Sequence, residues 1–335
     1  MTGQVKFSKD IEGILNNLEE EKLKGKVGIK VHFGEKGCET YINPEVVKKV
    51  YKKIVDMGHE AALVECNVLY KGSRTDRKSH IETAKDHGFD FAPIDILDGE
   101  VGEEEIELES RGNVETAKIG KGIEKYDSLV LLTHFKGHVA SGFGGAFKNL
   151  GMGLGSRAGK LHMHSDVKPS IKIDNCVKCG DCIENCDVDA IEMTEEGARI
   201  TDLCIGCAMC IAVCDYGAVS IPWGGSTNEE LQEKIVDYSA AIIDYLDQNL
   251  IYINVLDNIT EDCDCMGKKQ TPLITDIGFL LSDDPVAIDK ASLDIVDRET
   301  DEKFSRINSV DNMHKINYAE EMELGSQNYD LYQIT

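Results

Sequence analysis

The sequence lacks the features that a membrane or secreted protein needs. No apolar run approaches the roughly 20 residues of a membrane-spanning helix, and the first thirty residues have no apolar stretch typical of a secretion signal. We therefore expect a cytoplasmic protein without a membrane partner. In that reducing compartment, the twelve cysteines indicate metal binding and not a disulfide framework.

Basic charge is scarce as well. The 335 residues contain 36 lysines and arginines against 61 aspartates and glutamates, which gives a net charge of −25. Such a chain repels phosphate backbones, and no basic stripe offsets that repulsion, so nucleic acid is excluded as a partner. An acidic surface of this kind suits docking to a basic patch on a redox partner protein.

Eight of the cysteines form two equal runs. Each run has the spacing Cys-x2-Cys-x2-Cys-x3-Cys, and the second starts 28 residues after the first. This spacing is typical of thiolates that bind iron–sulfur clusters, whereas zinc usually takes cysteine pairs separated by a dozen or more residues. The runs are Cys176, Cys179, Cys182 and Cys186, then Cys204, Cys207, Cys210 and Cys214.

Paired runs of this kind share their ligands crosswise. Three thiolates at intervals of three residues bind one face of a cube, and the fourth thiolate reaches the cluster of the other run. The first 4Fe–4S cluster is therefore assigned to Cys176, Cys179, Cys182 and Cys214. The second 4Fe–4S cluster is assigned to Cys204, Cys207, Cys210 and Cys186.

Proline is missing where such runs usually have it. Only 6 residues of the chain are proline, and the positions after the fourth cysteines are Asp187 and Asp215. A carboxylate close to an anionic cluster opposes the addition of an electron. Our hypothesis is that Asp187→Pro and Asp215→Pro raise the reduction potentials.

Strand and helix patterns flank the cysteine runs on both sides. The main strand-like segments are 26–31, 61–65, 129–133 and 250–256. Their alternation with helical segments predicts an α/β fold with a largely parallel sheet. We predict one discontinuous α/β domain, formed by residues 1–170 and 223–335, with an inserted α+β module of ferredoxin type at 171–222.

Four of these strand-like segments lead into polar or sulfur-containing residues. In an open parallel sheet, ligands lie outside the carboxyl ends of the strands. Because those ends meet at one edge of the sheet, we expect a cleft there. The residues that follow the strands are His32, Cys66, Asn67, His134, Lys136, His138, Asp262, Cys263, Asp264 and Cys265.

The histidines and thiols each allow more than one interpretation. His134 and His138 are either ligands and proton-transfer groups or ordinary loop histidines. Cys263 and Cys265 are too close in sequence to favour a disulfide. They are interpreted as a metal chelate or a redox pair, or alternatively as one buried and one exposed thiol.

A glycine-rich segment at 141–149 contains Gly144 and Gly145. Its pattern is typical of a backbone nest that leads into a helix N-terminus and binds phosphate or carboxylate, with Lys148 or Arg157 as counter-charge. The spacing matches neither of the common nucleotide-binding glycine motifs, and glycines also serve tight packing alone. Anion binding is the interpretation that we favour.

Seven short motifs follow one another along the chain. They are KVHFGEKG at 30–37, LYKGSR at 69–74, THFKGH at 133–138, GFGGAFKNLGMG at 142–153, SRAGK at 156–160, DCDC at 262–265 and DPVAID at 284–289. Together they resemble the family catalogued as domain of unknown function 362, in the version with an inserted bacterial-type two-cluster ferredoxin. The resemblance implies an iron–sulfur protein of unsettled activity. It also favours His164, which precedes a serine, over His162 as a site residue.

These observations predict an iron–sulfur redox protein that passes single electrons through two 4Fe–4S clusters to a cleft in the α/β domain. The cleft would hold a small anionic substrate or cofactor, for instance a flavin, or an additional metal. The expected catalytic residues are His134, His138, Cys263 and Cys265. The expected cofactor-binding residues are His32, Gly144, Gly145, Lys148, Asn149, Arg157 and His164.

Two other functions remain open on the sequence alone. One is a pure electron carrier whose α/β domain only docks a partner protein. The other is a module that binds a metal or cofactor and delivers it. Neither of these two would be an enzyme. The redox protein with a substrate cleft would be one, an oxidoreductase of unknown substrate.

Overall fold

The structure is a computed structural model and describes residues 2–335. In chain order the strands are β1 (Gly3–Ser8), β2 (Val27–Lys30), β3 (Ala61–Glu65), β4 (Ile94–Ile96), β5 (Glu105–Glu109), β6 (Thr116–Gly120), β7 (Ser128–His134), β8 (Lys136–His138), β9 (Gly142–Gly144), β10 (Ser170–Ile171), β11 (Ile191–Met193), β12 (Ala198–Ile200), β13 (Val219–Ser220), β14 (Leu250–Val255), β15 (Phe279–Ser282) and β16 (Tyr329–Gln333). The α-helices are α1 (Ile11–Leu15), α2 (Pro44–Asp56), α3 (Arg77–Asp86), α4 (Arg157–His164), α5 (Asp181–Glu184), α6 (Met209–Val213), α7 (Asn228–Tyr245), α8 (Pro285–Glu299), α9 (Lys303–Arg306) and α10 (His314–Glu321).

A large sheet lies at the centre of the fold, with the strand order β16-β1-β15-β14-β7-β2-β3-β4. Every neighbouring pair is parallel except the two that involve β15, which runs antiparallel to β1 and to β14. The predicted α/β class with a largely parallel sheet is therefore confirmed. Strands from both ends of the chain contribute to this one sheet.

Both faces of the sheet are covered, as parallel sheets require. Along β7, Leu129 and Leu131 pack into one apolar core, while Val130 and Leu132 pack into a second core on the opposite face. This alternation follows from the two-residue period of a strand. Helices α7, α8 and α10 cover the first face, and α1 and α2 cover the second.

Capping residues mark the N-termini of the main helices α2, α7 and α8. Asn43 caps α2 through a side-chain bond to the amide of Glu45, with Pro44 in the first turn. Thr227 and Glu230 form a reciprocal capping box at the start of α7. Asp284 caps α8 by accepting a bond from the amide of Ala287. The caps fix the loops that precede these helices.

The cysteine runs lie in a small α+β unit between α4 and α7. The unit consists of two antiparallel strand pairs, β10 with β13 and β11 with β12, together with the short helices α5 and α6. Its apolar core includes Ile191, Ile211 and Val219, and it also includes Leu69 and Leu161 from outside the unit. The unit thus packs directly against the loop after β3 and against α4.

A second contact joins the unit to the α/β domain. The Lys71 ammonium lies 2.8 Å from a carboxylate oxygen of Asp215 and donates to the carbonyl of Ala212 at 3.4 Å. Asp215 is one of the two aspartates that stand where such cysteine runs usually have proline. Its carboxylate therefore has a partner, whereas Asp187 has no ion pair among residues 2–335.

No helix in the described part of the chain combines the length and apolarity that crossing a membrane requires.

Candidate functional site

The carboxyl ends of β14, β7, β2 and β3 lie side by side, because these four strands are parallel neighbours. A cavity of about 520 Å³ opens at this edge. The residues that follow the strands line it, as the topology of an open parallel sheet predicts. They include His32, Cys66, His138, Cys263 and Cys265.

Positive charge is concentrated in this cavity, although the protein as a whole is strongly acidic. Five cationic side chains line it: Lys30, Arg74, Lys136, Lys148 and Lys160. Three carboxylates neutralise part of that charge. Glu65 lies 2.8 Å from Lys30, Glu35 lies 3.2 Å from Arg74, and Asp264 lies 3.2 Å from Lys136. Five cations against three carboxylates leave two positive charges without a carboxylate partner among residues 2–335.

The two cations without a carboxylate partner are Lys148 and Lys160. The Lys160 ammonium donates to the carbonyl oxygens of Gly153 and Gly155 and has no carboxylate within salt-bridge distance in the described residues. For Lys148, residues 2–335 supply neither a hydrogen-bond acceptor nor an ion pair. A partly buried ammonium group of this kind is available to an anion in the cavity.

His32 and His138 are neutral and share the same tautomer. Burial, with the charges of Arg74 and Lys136, holds the pKa of His32 well below its usual range. Burial and the Lys148 charge do the same to the pKa of His138. Backbone N–H groups donate to Nδ1 of both rings, from Gly34 at 3.1 Å and from Ser141 at 3.0 Å. The ring proton must therefore be on Nε2, which is a donor and offers no lone pair to a metal.

His164 and Trp223 form another part of the cavity wall. Their rings meet edge to face, with centroids 4.7 Å apart. Burial and the neighbouring Lys148 and Lys160 lower the pKa of His164 to about 3, so this ring is also neutral. Trp223 is the only tryptophan of the chain, and it follows directly on the cysteine-containing unit. Its fluorescence can therefore report on the cavity.

Cys263 and Cys265 face the cavity from one short turn, a 3₁₀ helix at Asp264–Met266. A hydrogen bond from Cys265, with the ammonium groups of Lys148 and Lys136, holds the pKa of the Cys263 thiol well below its usual range. The same hydrogen bond raises the pKa of Cys265. Cys263 is therefore the thiol of the pair that ionises first.

Asp264, which stands between the two thiols, anchors the turn. It is fully buried and accepts hydrogen bonds from His134 Nδ1 at 2.7 Å and from Thr40 Oγ1 at 3.3 Å, and the Lys136 ammonium lies 3.2 Å away. The other nitrogen of His134 faces the carbonyl oxygens of Asp257 and Asn258. His134 thus holds Asp264 from behind and is not part of the cavity lining.

Arg157 was expected to bind the cofactor, but the structure places it elsewhere. Its side chain is fully buried, and its guanidinium donates to the backbone carbonyls of Val101, Leu69 and Thr75. It does not line the cavity. An arginine with five donors in a fixed fork can join two loops in this way, the one between β3 and α3 and the one between β4 and β5. The remaining expected residues, His32, Gly144, Gly145, Lys148, Asn149 and His164, do line the cavity.

The glycine-rich segment binds a carboxylate, but that carboxylate belongs to the protein. The helical turn after Gly145 points the amides of Ala146 and Phe147 at the side chain of Asp289, at 2.6 and 3.3 Å. A Cβ at position 145 would lie 2.3 Å from Asp289 Oδ1, so only glycine fits there. These two amides are therefore not free for a ligand. The prediction that the glycine-rich segment binds the anion of a ligand is corrected for these two donors.

Sequence reasoning missed Lys30, Glu65, Arg74 and Lys160 as cavity residues. One signal was present for the first two, because each is a charged residue at the end of an otherwise apolar strand and is buried with it. Such a residue is usually paired when it is buried, and here Lys30 and Glu65 pair with each other across neighbouring strands. No local pattern in the sequence distinguishes Arg74 and Lys160 from surface residues.

A larger groove of about 950 Å³ lies elsewhere on the molecule. Its lysines already have partners, since Lys6 lies 2.8 Å from Glu19 and Lys22 lies 2.7 Å from Asp283. Among residues 2–335, no unpaired lysine or arginine remains in this groove to bind an anion. The strand-end cavity is therefore the better candidate site.

The cysteine-containing unit has two small cavities of its own. One is lined by Cys176, Cys179, Cys182 and Cys214, and the other by Cys186, Cys204, Cys207 and Cys210. Backbone amides donate to three of these sulfurs: Ala198 to Cys176, Ala190 to Cys186 and Ala218 to Cys214. Within residues 2–335, no group of three or more His, Cys, Asp or Glu side chains is arranged to hold a single metal ion.

Fold and site together define an α/β protein with a cation-lined cavity at the carboxyl edge of a mostly parallel sheet. The chain belongs to the family described as Domain of unknown function (DUF362), whose model matches residues 27–294. No curated protein matches the sequence.

Two solved structures share part of this architecture. The lactate racemase apoprotein from Thermoanaerobacterium thermosaccharolyticum is 14% identical with a TM-score of 0.39, and the match covers 76% of this chain and 51% of that one. A protein from Thermotoga maritima is 12% identical with a TM-score of 0.39, and the match covers 73% and 49% of the two chains. The chain thus spans about half the length of these structures.

Proposed function

We propose that the protein is an iron–sulfur redox protein. The unit at 171–222 is a ferredoxin-type module that holds two 4Fe–4S clusters, and the strand-end cavity holds a small anionic cofactor or substrate. A redox partner protein supplies single electrons to the module. The protein is then an oxidoreductase, and the cavity is its active site.

The observation that carries this proposal is the sorting of the eight cysteines. Each small cavity takes three cysteines from one run and the fourth from the other run. This crosswise pattern is the one expected for two-cluster ferredoxin modules. A four-iron cube also keeps its thiolates farther apart than a single ion does, so the lack of a single-ion site is compatible with it.

The chemistry of the cysteine sets fits iron–sulfur clusters. Burial and the neighbouring cysteines raise the pKa of Cys210 to about 12, so a set of buried thiolates needs cationic iron beside it. Amide donors to Cys176, Cys186 and Cys214 further support anionic sulfur. When bound, each cluster accepts and releases one electron at a time.

Contacts between module and cavity support electron delivery to the cavity. Leu69 lines the cavity and also packs into the core of the module. Trp223, the residue that leads out of the module, lines the cavity as well. The two sites are therefore adjacent, with no intervening domain.

An anion is favoured over a metal in the cavity. Two cations there lack a carboxylate partner among residues 2–335, and the Nε2 atoms of His32 and His138 carry protons that can be donated to an anion. The proposed anion is a phosphate- or carboxylate-bearing molecule. Extraction from protein purified without oxygen identifies it and shows whether it is a flavin. A pure electron carrier would yield no such molecule.

Replacing Lys148 should weaken anion binding without harming the fold. With inorganic phosphate as the probe, we expect Lys148→Met to raise the dissociation constant about tenfold or more, because a hydrogen bond to a charged group is lost. Calorimetry measures the affinity, and Trp223 fluorescence shows that phosphate enters this cavity. The control is Lys52→Met, at an exposed lysine on α2. Equal affinity of both variants for phosphate would refute the anion site.

The two aspartates that replace proline should differ in their effect on reduction potential. Asp187 has no ion-pair partner among residues 2–335, so Asp187→Pro removes an unpaired negative charge close to the second cluster and raises its potential. The charge of Asp215 is offset by Lys71, so Asp215→Pro should raise the potential less. Protein-film voltammetry of the two variants tests this order. Unchanged potentials in both variants would contradict the prediction.

A further inference from the structure

The cavity contains a thiol pair that anion binding alone does not use. Cys263 and Cys265 both line the cavity, one at the start of the 3₁₀ turn and one inside it. Cysteines separated by one residue in such a turn have Cα atoms within the separation that a disulfide spans. The short sequence separation does not favour a disulfide, but both thiols of this turn face the same cavity and can act on one substrate there.

The turn is held firmly against the cavity. The Asp264 carboxylate contacts His134, Lys136 and Thr40. The Tyr70 hydroxyl donates to the carbonyl of Cys265 at 3.2 Å. The thiols are thereby fixed beside the free ammonium group of Lys148. One cavity thus contains the two thiols, the anion-binding Lys148 and the proton-donating rings of His32 and His138.

A metal chelated by this pair would lack further ligands. His32 and His138 carry their protons on Nε2, and residues 2–335 offer no third donor arranged to complete a site with the two thiols. Thiol chemistry fits the geometry better than metal binding does.

We propose that Cys263 and Cys265 form a redox-active dithiol that reduces a small anionic disulfide bound in the cavity. This inference rests on the proposed function for two things, the anion site at Lys148 and the supply of single electrons through the module. It adds the substrate class and the residues that react.

The reaction is balanced as follows. The thiolate of the pair attacks one sulfur of the substrate, the substrate S–S bond breaks, and a mixed disulfide forms as the first substrate thiolate leaves. The second cysteine loses its proton, attacks the mixed disulfide and releases the second thiolate, which leaves a Cys263–Cys265 disulfide. Two electrons, delivered one at a time by a one-electron donor protein, and one proton then restore the starting pair of one thiolate and one thiol.

Thiol mapping on the intact protein tests the inference. Protein purified without oxygen is mixed with 3,3′-dithiodipropionate, a small dianionic disulfide, then alkylated, digested and analysed by mass spectrometry. We expect the peptide with Cys263 and Cys265 to carry an internal disulfide, and Cys265→Ser to trap a mixed disulfide at Cys263. Cys66 also lines the cavity but should stay unreacted, because burial raises the pKa of its thiol well above the usual range.

The charge of the substrate is tested by a matched uncharged probe. Bis(2-hydroxyethyl) disulfide should oxidise the pair about tenfold to a hundredfold more slowly than the dianion, and Lys148→Met should remove that difference. Equal rates for both probes in the wild type would overturn the anionic substrate class. A pair that stays fully alkylated with both probes, in protein that retains its iron, would overturn the dithiol itself.

Failure of the proposed function gives a different result. After closure, viologen radical should reopen the disulfide in the wild type but not in Cys176→Ser with Cys214→Ser, which lacks one cluster set. If the Cys263–Cys265 disulfide forms but is reduced at the same rate in both proteins, the redox-active dithiol is supported. The proposed electron delivery through the module is then refuted.

Discussion

Serine at both Cys176 and Cys214 should remove one cluster and leave the other intact. Iron should fall from about eight to about four atoms per chain, because these two residues belong to the same crosswise set. Iron and acid-labile sulfide analysis of protein purified without oxygen measures the loss. Electron paramagnetic resonance of the reduced variant should show a single cluster with no magnetic partner.

The matched control replaces two cysteines of the same run. Cys204→Ser with Cys214→Ser takes one ligand from each crosswise set, so both clusters should be damaged and little iron should remain. If each run held its own cluster, the two results would be exchanged. The comparison therefore distinguishes crosswise from separate ligation even though each variant loses two thiols.

Asp264→Asn should lower the free energy of unfolding by about 3–5 kcal/mol, since it leaves Lys136 buried without its counter-charge. Asp264 is fully buried and also receives the His134 hydrogen bond. Urea unfolding followed by circular dichroism measures the change. In the control Asp262→Asn, the lost partner is the exposed Lys268, so stability should hardly change. Equal stabilities would show that Asp264 does not anchor the turn.

The Asp264 effect should depend on pH in one direction. Burial opposes ionisation, but His134 and Lys136 hold the pKa of Asp264 well below its usual range. Because the folded pKa is lower than the unfolded value of about 3.9, the ionised carboxylate stabilises the fold above that value. The stability is lost as pH falls through the folded pKa. The gap between wild type and Asp264→Asn should therefore be constant near neutrality and shrink only in acid.

Local signals in the sequence were sufficient for much of the fold. The strand at 61–65 was predicted with its observed bounds, since apolar β-formers end there at a charged residue. The caps at Asn43, Thr227 and Asp284 are also encoded locally, because capping depends on residues within one helical turn. The antiparallel strand β15 was missed. It has only four residues and leads directly into the α8 cap, so it has no period of its own.

Within the candidate site, only the residues that follow strands could be predicted from the sequence. His32, His138, Cys263 and Cys265 follow strands, and parallel order places such residues at one edge. The role of Asp289 was hidden, because its bonds to Ala146 and Phe147 depend on how α8 packs against a distant loop. The burial of Arg157 among three loop carbonyls was hidden for the same reason. Pairings between distant segments leave no periodic trace in a sequence.

Metal analysis of the wild-type protein, purified without oxygen, tests the central claim most directly. The account predicts about eight iron atoms and about eight acid-labile sulfides per chain, with no zinc, and a spectrum of two interacting clusters on reduction. Colourless protein without iron, or with zinc bound to the cysteines, would contradict it.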